Sequence, residues 1–163
     1  MKKNLIVDNK YPGLVKKDCW YELECDLVSE FGIEIKLDML LKVSGSIESG
    51  ESIESVGHIK AVGHIKSGWS IESGGYIKSG WSIKSGWSIK AGGSIKAGES
   101  IEAELGIVCG LSITCKKYLS FKLNLFAGTA TWKTPSEDEQ LVTCGKLVMG
   151  TIKSGTLIET DKA

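Results

Sequence analysis

The feature that most constrains this chain is an aliphatic residue at every sixth position. From Ile35 the series runs Ile35, Leu41, Ile47, Ile53, Ile59, Ile65, Ile71, Ile77, Ile83, Ile89, Ile95, Ile101, Ile107, Ile113, Leu119 and Leu125, sixteen positions, all Ile or Leu, with no insertion. A period of six is far from helical periodicity, and a helix would spread these residues around its whole circumference. A unit such as Ser82-Ile-Lys-Ser85 instead alternates out, in, out, in along a short strand, so that Ile and the small residue share one face. The second inward position is Ser, Ala or Cys from Ser49 to Cys115 and large at the ends, at Leu37, Val43 and Phe121. Gly follows in most units and permits a sharp turn into the next strand. Three units per turn make an 18-residue triangular coil. The expected fold is therefore all-β: a single-chain parallel β-helix (β-solenoid) of about five such coils over residues 33–127, a rod of roughly 25 Å at the usual rung spacing.

The flanks lack the repeat. Residues 1–32 hold Leu5-Ile-Val7 and Cys19-Trp-Tyr-Glu-Leu-Glu-Cys25, strand-like segments joined at Tyr11-Pro-Gly13, and are expected to form an N-terminal β cap. Residues 128–163 are expected to form a C-terminal cap. There Thr134-Pro-Ser-Glu-Asp-Glu-Gln140 has the signals of a short helix, and a β-hairpin is expected about Ser154-Gly155. Open solenoid ends need such covers, which either close the rod or pair it with a second copy.

The repeat resembles hexapeptide-repeat β-helices over residues 33–127. It departs from the left-handed acyltransferase pattern, because Lys or Glu usually follows the aliphatic residue and the small residue comes two positions after Ile. Handedness is open at this level. The resemblance implies, as a remote alternative, a hexapeptide acyltransferase using His58 or His64, which stand in the slot before Ile. Those enzymes commonly extrude a loop from a coil, and the sixteen-unit register contains none. The segments Gly68-Trp-Ser-Ile-Glu-Ser73, Gly80-Trp-Ser-Ile-Lys-Ser85 and Gly86-Trp-Ser-Ile-Lys-Ala91 also resemble uncharacterised repeat proteins of phages and mobile elements.

Residues 18 apart are expected to stack, which turns outward positions into ladders. Lys60, Lys78 and Lys96 form one of like charge, whereas Glu48, Lys66, Lys84, Glu102 and Glu54, Glu72, Lys90 are mixed. Adjacent like charges repel by up to about 1 kcal/mol per pair in water. Such a ladder either keeps the rod solvated or receives an acidic partner or nucleic-acid backbone. Trp69 and Trp87 should stack on one corner, with Trp81 on a neighbouring one; being outward, they either contact a partner or are covered by the terminal segment. These six residues, Trp69, Trp87, Trp81, Lys60, Lys78 and Lys96, are the candidate partner-binding set. Cys109 and Cys115 occupy inward slots and read as buried thiols; Cys19 and Cys25 share their spacing of six, which does not suit a zinc loop. No catalytic, metal or cofactor site is expected.

Twenty Lys, no Arg and twenty acidic residues sum to zero net charge, which argues against a broadly nucleic-acid-binding surface and against an acidic nucleic-acid mimic. No apolar run reaches the length of a membrane span, and the first residues do not form a signal-peptide core. With five Cys, an odd number, the expected location is the cytoplasm, that of the host if the chain is phage-encoded. The expected function is a non-enzymatic protein-binding β-helix, most specifically a phage-type, anti-CRISPR-like inhibitor of a bacterial defence complex, including one that carries nucleic acid. The alternative is a self-assembling, bactofilin-like structural β-helix, a homo-oligomer through its end caps, stacking on Leu37, Met39, Leu40, Phe121, Leu123 and Phe126. Charged faces argue against an ice-binding array.

Overall fold

The computed structural model describes residues 3–161. It is a parallel β-solenoid of about eight turns with three faces, rather than five turns, because strands on both sides of the regular repeat join the same stack. The first face stacks Leu5–Val7, Ile33–Ile35, Ile53–Ser55, Ile71–Ser73, Ile89–Ala91 and Ile107–Cys109. The second stacks Trp20–Leu23, Leu40–Val43, Ile59–Ala61, Ile77–Ser79, Ile95–Ala97, Ile113–Cys115, Leu141–Cys144 and Thr156–Glu159. The third stacks Leu27–Ser29, Ile47–Ser49, Ile65–Ser67, Ile83–Ser85 and Ile101–Ala103. Tyr118–Phe126 then rounds the corner from third to first face as one strand, and Lys146–Ser154 repeats this one coil on. The corners are called first (between first and second faces), second and third, in chain order. Among the described residues no helix is long and apolar enough to cross a membrane.

The inward Ile column is completely buried from Ile47 to Ile113. Burying each such side chain contributes about 1.5–3 kcal/mol, which makes the column the main source of stability. The inward Ser residues hold the corners. Ser67, Ser79 and Ser85 each donate to a corner carbonyl of the coil below, to Glu51 at 2.6 Å, Gly63 at 2.7 Å and Trp69 at 2.5 Å. Each also accepts the amide two residues on, from Trp69, Trp81 and Trp87. Ser55 stands above an enlarged corner and its buried hydroxyl has no partner. The corner glycines have a different reason from the one expected. None in the repeat has positive φ. A Cβ on Gly68, Gly86 or Gly98 would instead overlap the carbonyl oxygen of Gly50, Gly68 or Gly80 in the coil beneath. Close stacking of corner backbones selects glycine here.

The register also differs at its start. Ile35 lies in the second inward position, paired with Ser55, and Ile33 is the residue in line with Ile53. Two extra residues in Lys36–Met39 shift it, so the series is not free of insertions. Leu5 to Tyr21, Ile33 to Leu41 and Leu125 to Val142 span 16, 8 and 17 positions where Ile107 to Ile113 spans six. All three insertions fall at the first corner. The N-terminal one carries Leu14–Lys16, which pairs antiparallel with Trp20–Leu23. The C-terminal one, after Phe126, is a loop extruded beyond the sixteen units, in the segment expected to form the C-terminal cap. The helix expected near Thr134 is a single 3-10 turn, Asp138–Gln140. The hairpin at Ser154-Gly155 does not form: Lys146–Ser154 pairs with Tyr118–Phe126, and Thr156–Glu159 with Leu141–Cys144. This last coil is tightened to 15 positions, Val142 to Leu157. Gly150 and Gly155 make its sharp corners at φ +119° and +107°, where a side chain would be strained.

Candidate functional site

The first corner is built up at both ends and bare in the middle. In the regular coils it reads Val56-Gly57-His58, Gly74-Gly75-Tyr76, Gly92-Gly93-Ser94 and Gly110-Leu111-Ser112. The double glycines leave a notch. The loop after Phe126 closes one end of it. This loop is pinned to the corner by Gly128 N–H to the Leu111 carbonyl at 3.0 Å, Ala130 N–H to Gly110 at 2.9 Å and the Thr129 hydroxyl to Cys109 at 2.9 Å. It is braced internally by the Lys133–Glu139 ion pair, which holds the Glu139 carboxyl below its ordinary pKa, and by the Gln140 amide donating to Pro135. The brace projects Trp132, 65% exposed, beside the notch, with the Lys133 ammonium 5.2 Å from its ring centre.

The result is a groove of about 600 Å³ running along the second face. Its walls are His58, Tyr76, Leu111 and Trp132, its floor the backbone of Gly74-Gly75 and Gly92-Gly93, and its rim Lys60, Lys78 and Lys96. The three lysines are Cα partners in successive rungs, as the 18-residue spacing predicts. The column continues backward to Lys42 and Glu22, where it changes character: Lys42 pairs with Glu22 and holds that carboxyl below its usual pKa. None of Lys60, Lys78 and Lys96 has an acidic partner among the described residues. Elsewhere stacked charges do pair, as in Lys84–Glu102 at 3.1 Å, Lys117–Glu99 at 2.7 Å and Lys122–Glu104. Tyr76 stacks on His58 at 4.2 Å, and burial raises its phenol pKa, keeping it neutral. Across the same corner the first face presents a second groove, lined by Glu34, Glu54 and Glu72 together with Lys36 and Lys90, with Lys36 paired to Glu34 at 3.0 Å.

The tryptophans fall on two other corners. Trp69 and Trp87 stack at the third corner, 5.4 Å apart and 10° from parallel, with Glu51 below and Leu105 above in the backbone ladder. Trp81 lies at the second corner, edge-on to His64 at 4.8 Å and 57% exposed. The terminal segment covers none of the three; all are exposed. Trp81 therefore borders the lysine face, whereas the Trp69–Trp87 pair lies at the corner opposite it. The histidines are built into the backbone: His58 Nδ1 accepts the Tyr76 amide at 3.0 Å and His64 Nδ1 that of Ser82 at 3.2 Å. Cys109, Cys115 and Cys144 are buried, and desolvation pushes their thiols up to about 12, 12 and 11. Cys19 and Cys25 are exposed, and no group of three metal-ligating side chains gathers among the described residues.

Sequence reasoning missed Trp132, Tyr76 and Leu111. Tyr76 had a signal, an aromatic beside a double glycine in a slot held by His58, Ser94 and Ser112 in the neighbouring coils. Trp132 had none, because only the return path of the loop brings it to the notch. The chain matches no known family, no curated protein and no solved structure, so its candidate site stands on this geometry.

Proposed function

We propose that this protein is a non-enzymatic protein-binding β-solenoid whose groove along Lys60, Lys78 and Lys96 receives an extended acidic segment of a partner protein. The observation that supports this reading is the run of three stacked lysines with no acidic partner among the described residues, beside an aromatic wall, where stacked charges at Lys84–Glu102, Lys117–Glu99 and Lys122–Glu104 do pair. The three lysines span about 10 Å along the axis, close to three residues of extended chain. An aromatic or aliphatic side chain of the same segment would rest on Trp132, Tyr76 and Leu111, where aromatic anchors supply most of the affinity of typical interfaces. The Trp69–Trp87 pair offers a second, separate contact for a large partner.

The test is titration of the protein with poly-L-glutamate and, in parallel, with single-stranded oligo-dT, followed by nuclear magnetic resonance and tryptophan fluorescence at low salt. Poly-glutamate is expected to shift Lys78, Tyr76 and Trp132 signals, and Lys78→Glu to weaken binding at least tenfold. Trp69→Ala with Trp87→Ala should leave this small probe unaffected. Shifts elsewhere only, or binding indifferent to Lys78→Glu, would overturn the groove; preference for oligo-dT would replace an acidic protein by a nucleic-acid backbone. A narrower proposal names the partner as a bacterial defence effector in the cytoplasm, with the chain acting as an anti-CRISPR-like inhibitor. What supports it is the resemblance of the Gly-Trp-Ser-Ile-Lys units to phage-borne repeat proteins. Expression in a strain with active CRISPR interference should restore phage plaques, and Lys78→Glu should abolish that rescue.

A further inference from the structure

The two ends of the rod are finished differently. At the N-terminal end Leu14–Lys16 occupies the outer edge of the second face by antiparallel pairing, and Tyr11 and Leu14 pack on the core. The inward residues there, Val7, Tyr21, Leu23 and Leu27, are no more than 6% exposed. At the C-terminal end no strand lies beyond Lys146–Ser154 and Thr156–Glu159 among the described residues. Leu147, Ile152 and Leu157 continue the inward columns of Leu119, Leu125 and Val142. Those three lower residues are fully buried, whereas Leu157 is 38% exposed and its two companions are half-buried. Val148 and Met149 on the same coil are exposed as well.

We infer that this open end is a homodimer interface, at which a second copy of the chain packs tail to tail about a two-fold axis perpendicular to the rod. A terminal rung carries unpaired N–H and C=O groups that a further strand satisfies; on this one the Leu147 N–H is already held by the Glu159 carboxylate at 2.6 Å, and the other edge groups are left for a partner strand. A two-fold contact sets each terminal strand antiparallel to its counterpart, a pairing at least as stable as the parallel one within the rod. It also brings the unfinished columns of Leu147, Ile152 and Leu157 against the same columns of the partner, removing both from water. Charge does not oppose this, since the coil and its exit carry Lys146 and Lys153 against Glu159 and Asp161. At the N-terminal end the second-face edge is already taken by Leu14–Lys16, and a tail-to-tail contact uses up the C-terminal end of both copies. The contact therefore closes at two chains and does not grow into a head-to-tail filament. A triangular end with sides of about 20 Å, roughly 170 Å² in cross-section before side chains are added, is smaller than a standard specific interface and fits a weak, transient contact. The expected dissociation constant is accordingly in the range of about 10–100 µM.

The experiment is sedimentation equilibrium of the full chain from about 1 to 500 µM, a range bracketing that constant, with circular dichroism to verify folding. The wild type should shift from monomer to dimer. Met149→Glu and Leu157→Glu should weaken the dimer at least tenfold, and Val62→Glu, on the side of the rod and half-exposed, should not. Met149 is exposed, so its variant decides the question should Leu157→Glu unfold. A wild type monomeric throughout, a dimer unaffected by both end variants, or growth beyond two chains would each overturn the inference. None of these outcomes depends on the lysine groove.

Discussion

At the residue scale, each slot of the hexad is chosen by what lies one coil below it. The slot before the third-face aliphatic shows this across six coils. Asp26 Oδ1 accepts the amide of Ser46 at 2.7 Å, Ser46 Oγ that of His64 at 3.1 Å, and His64 Nδ1 that of Ser82 at 3.2 Å. Ser82 and Ser100 continue the column to Tyr118 at 3.4 and 3.5 Å. Asp, Ser and His thus share one role, a short acceptor for an otherwise orphaned corner amide. The corner glycines follow the same logic by exclusion. Gly86→Ala places a methyl group against the Gly68 carbonyl, and its cost should be about 1–3 kcal/mol, read from urea unfolding. Gly93→Ala, whose added carbon would lie 3.3 Å from its nearest neighbour, should cost less than about 1 kcal/mol. Equal losses in the two variants would show that chain flexibility, not stacking, selects glycine. The buried thiols make a second residue-scale prediction. Their raised pKa means that the unfolded chain loses these protons near pH 9 while the folded chain keeps them towards 12. Their contribution is complete below pH 9 and is lost as pH rises from 9 to 12. Cys109→Ala with Cys115→Ala, which copies the Ala already present at Ala91 and Ala97, should flatten stability against pH across that window.

At the element scale, a strand of three or four residues has only one outward side chain near its centre, so every face is a set of ladders. Two of these are partly self-neutralising and one is not. Lys78 has a Lys partner on either side, and each such pair repels by up to about 1 kcal/mol in water. Lys78→Glu should therefore raise the urea midpoint at low salt, with the gain fading at high salt as screening shortens the reach of the charges. Together with the expected loss of partner binding, this gives opposite signs for stability and affinity. A ladder serving only solvation would show the stability change alone. The ladders and the Trp69–Trp87 stack were legible beforehand because a strict 18-residue recurrence converts spacing directly into neighbourhood. The groove was not, since its wall comes from Trp132, in a segment without recurrence.

At the scale of the whole molecule, about eight coils share one continuous aliphatic column, and each coil gains its stability from contact with its neighbours. Insertions are tolerated at the first corner because a loop there leaves the three strand ladders in register. The consequence is a rod whose decoration, notch and loop all lie along a single ridge. The sequence by itself determined the all-β class, the 18-residue coil, the buried Ile column, the lysine ladder and the stacked tryptophans. All of these follow from side-chain alternation and from a period that is unbroken from Leu41 to Leu125, which is local information. Tertiary structure alone decided how far the solenoid extends, since Leu5–Val7, Trp20–Leu23, Leu141–Cys144 and Lys146–Ser154 join it by pairing at irregular intervals that no period encodes. It also decided the register at Ile35, the groove beside Trp132 and the open C-terminal end. Each of these depends on where an inserted segment returns to the stack, and that is set by packing between distant residues rather than by spacing along the chain.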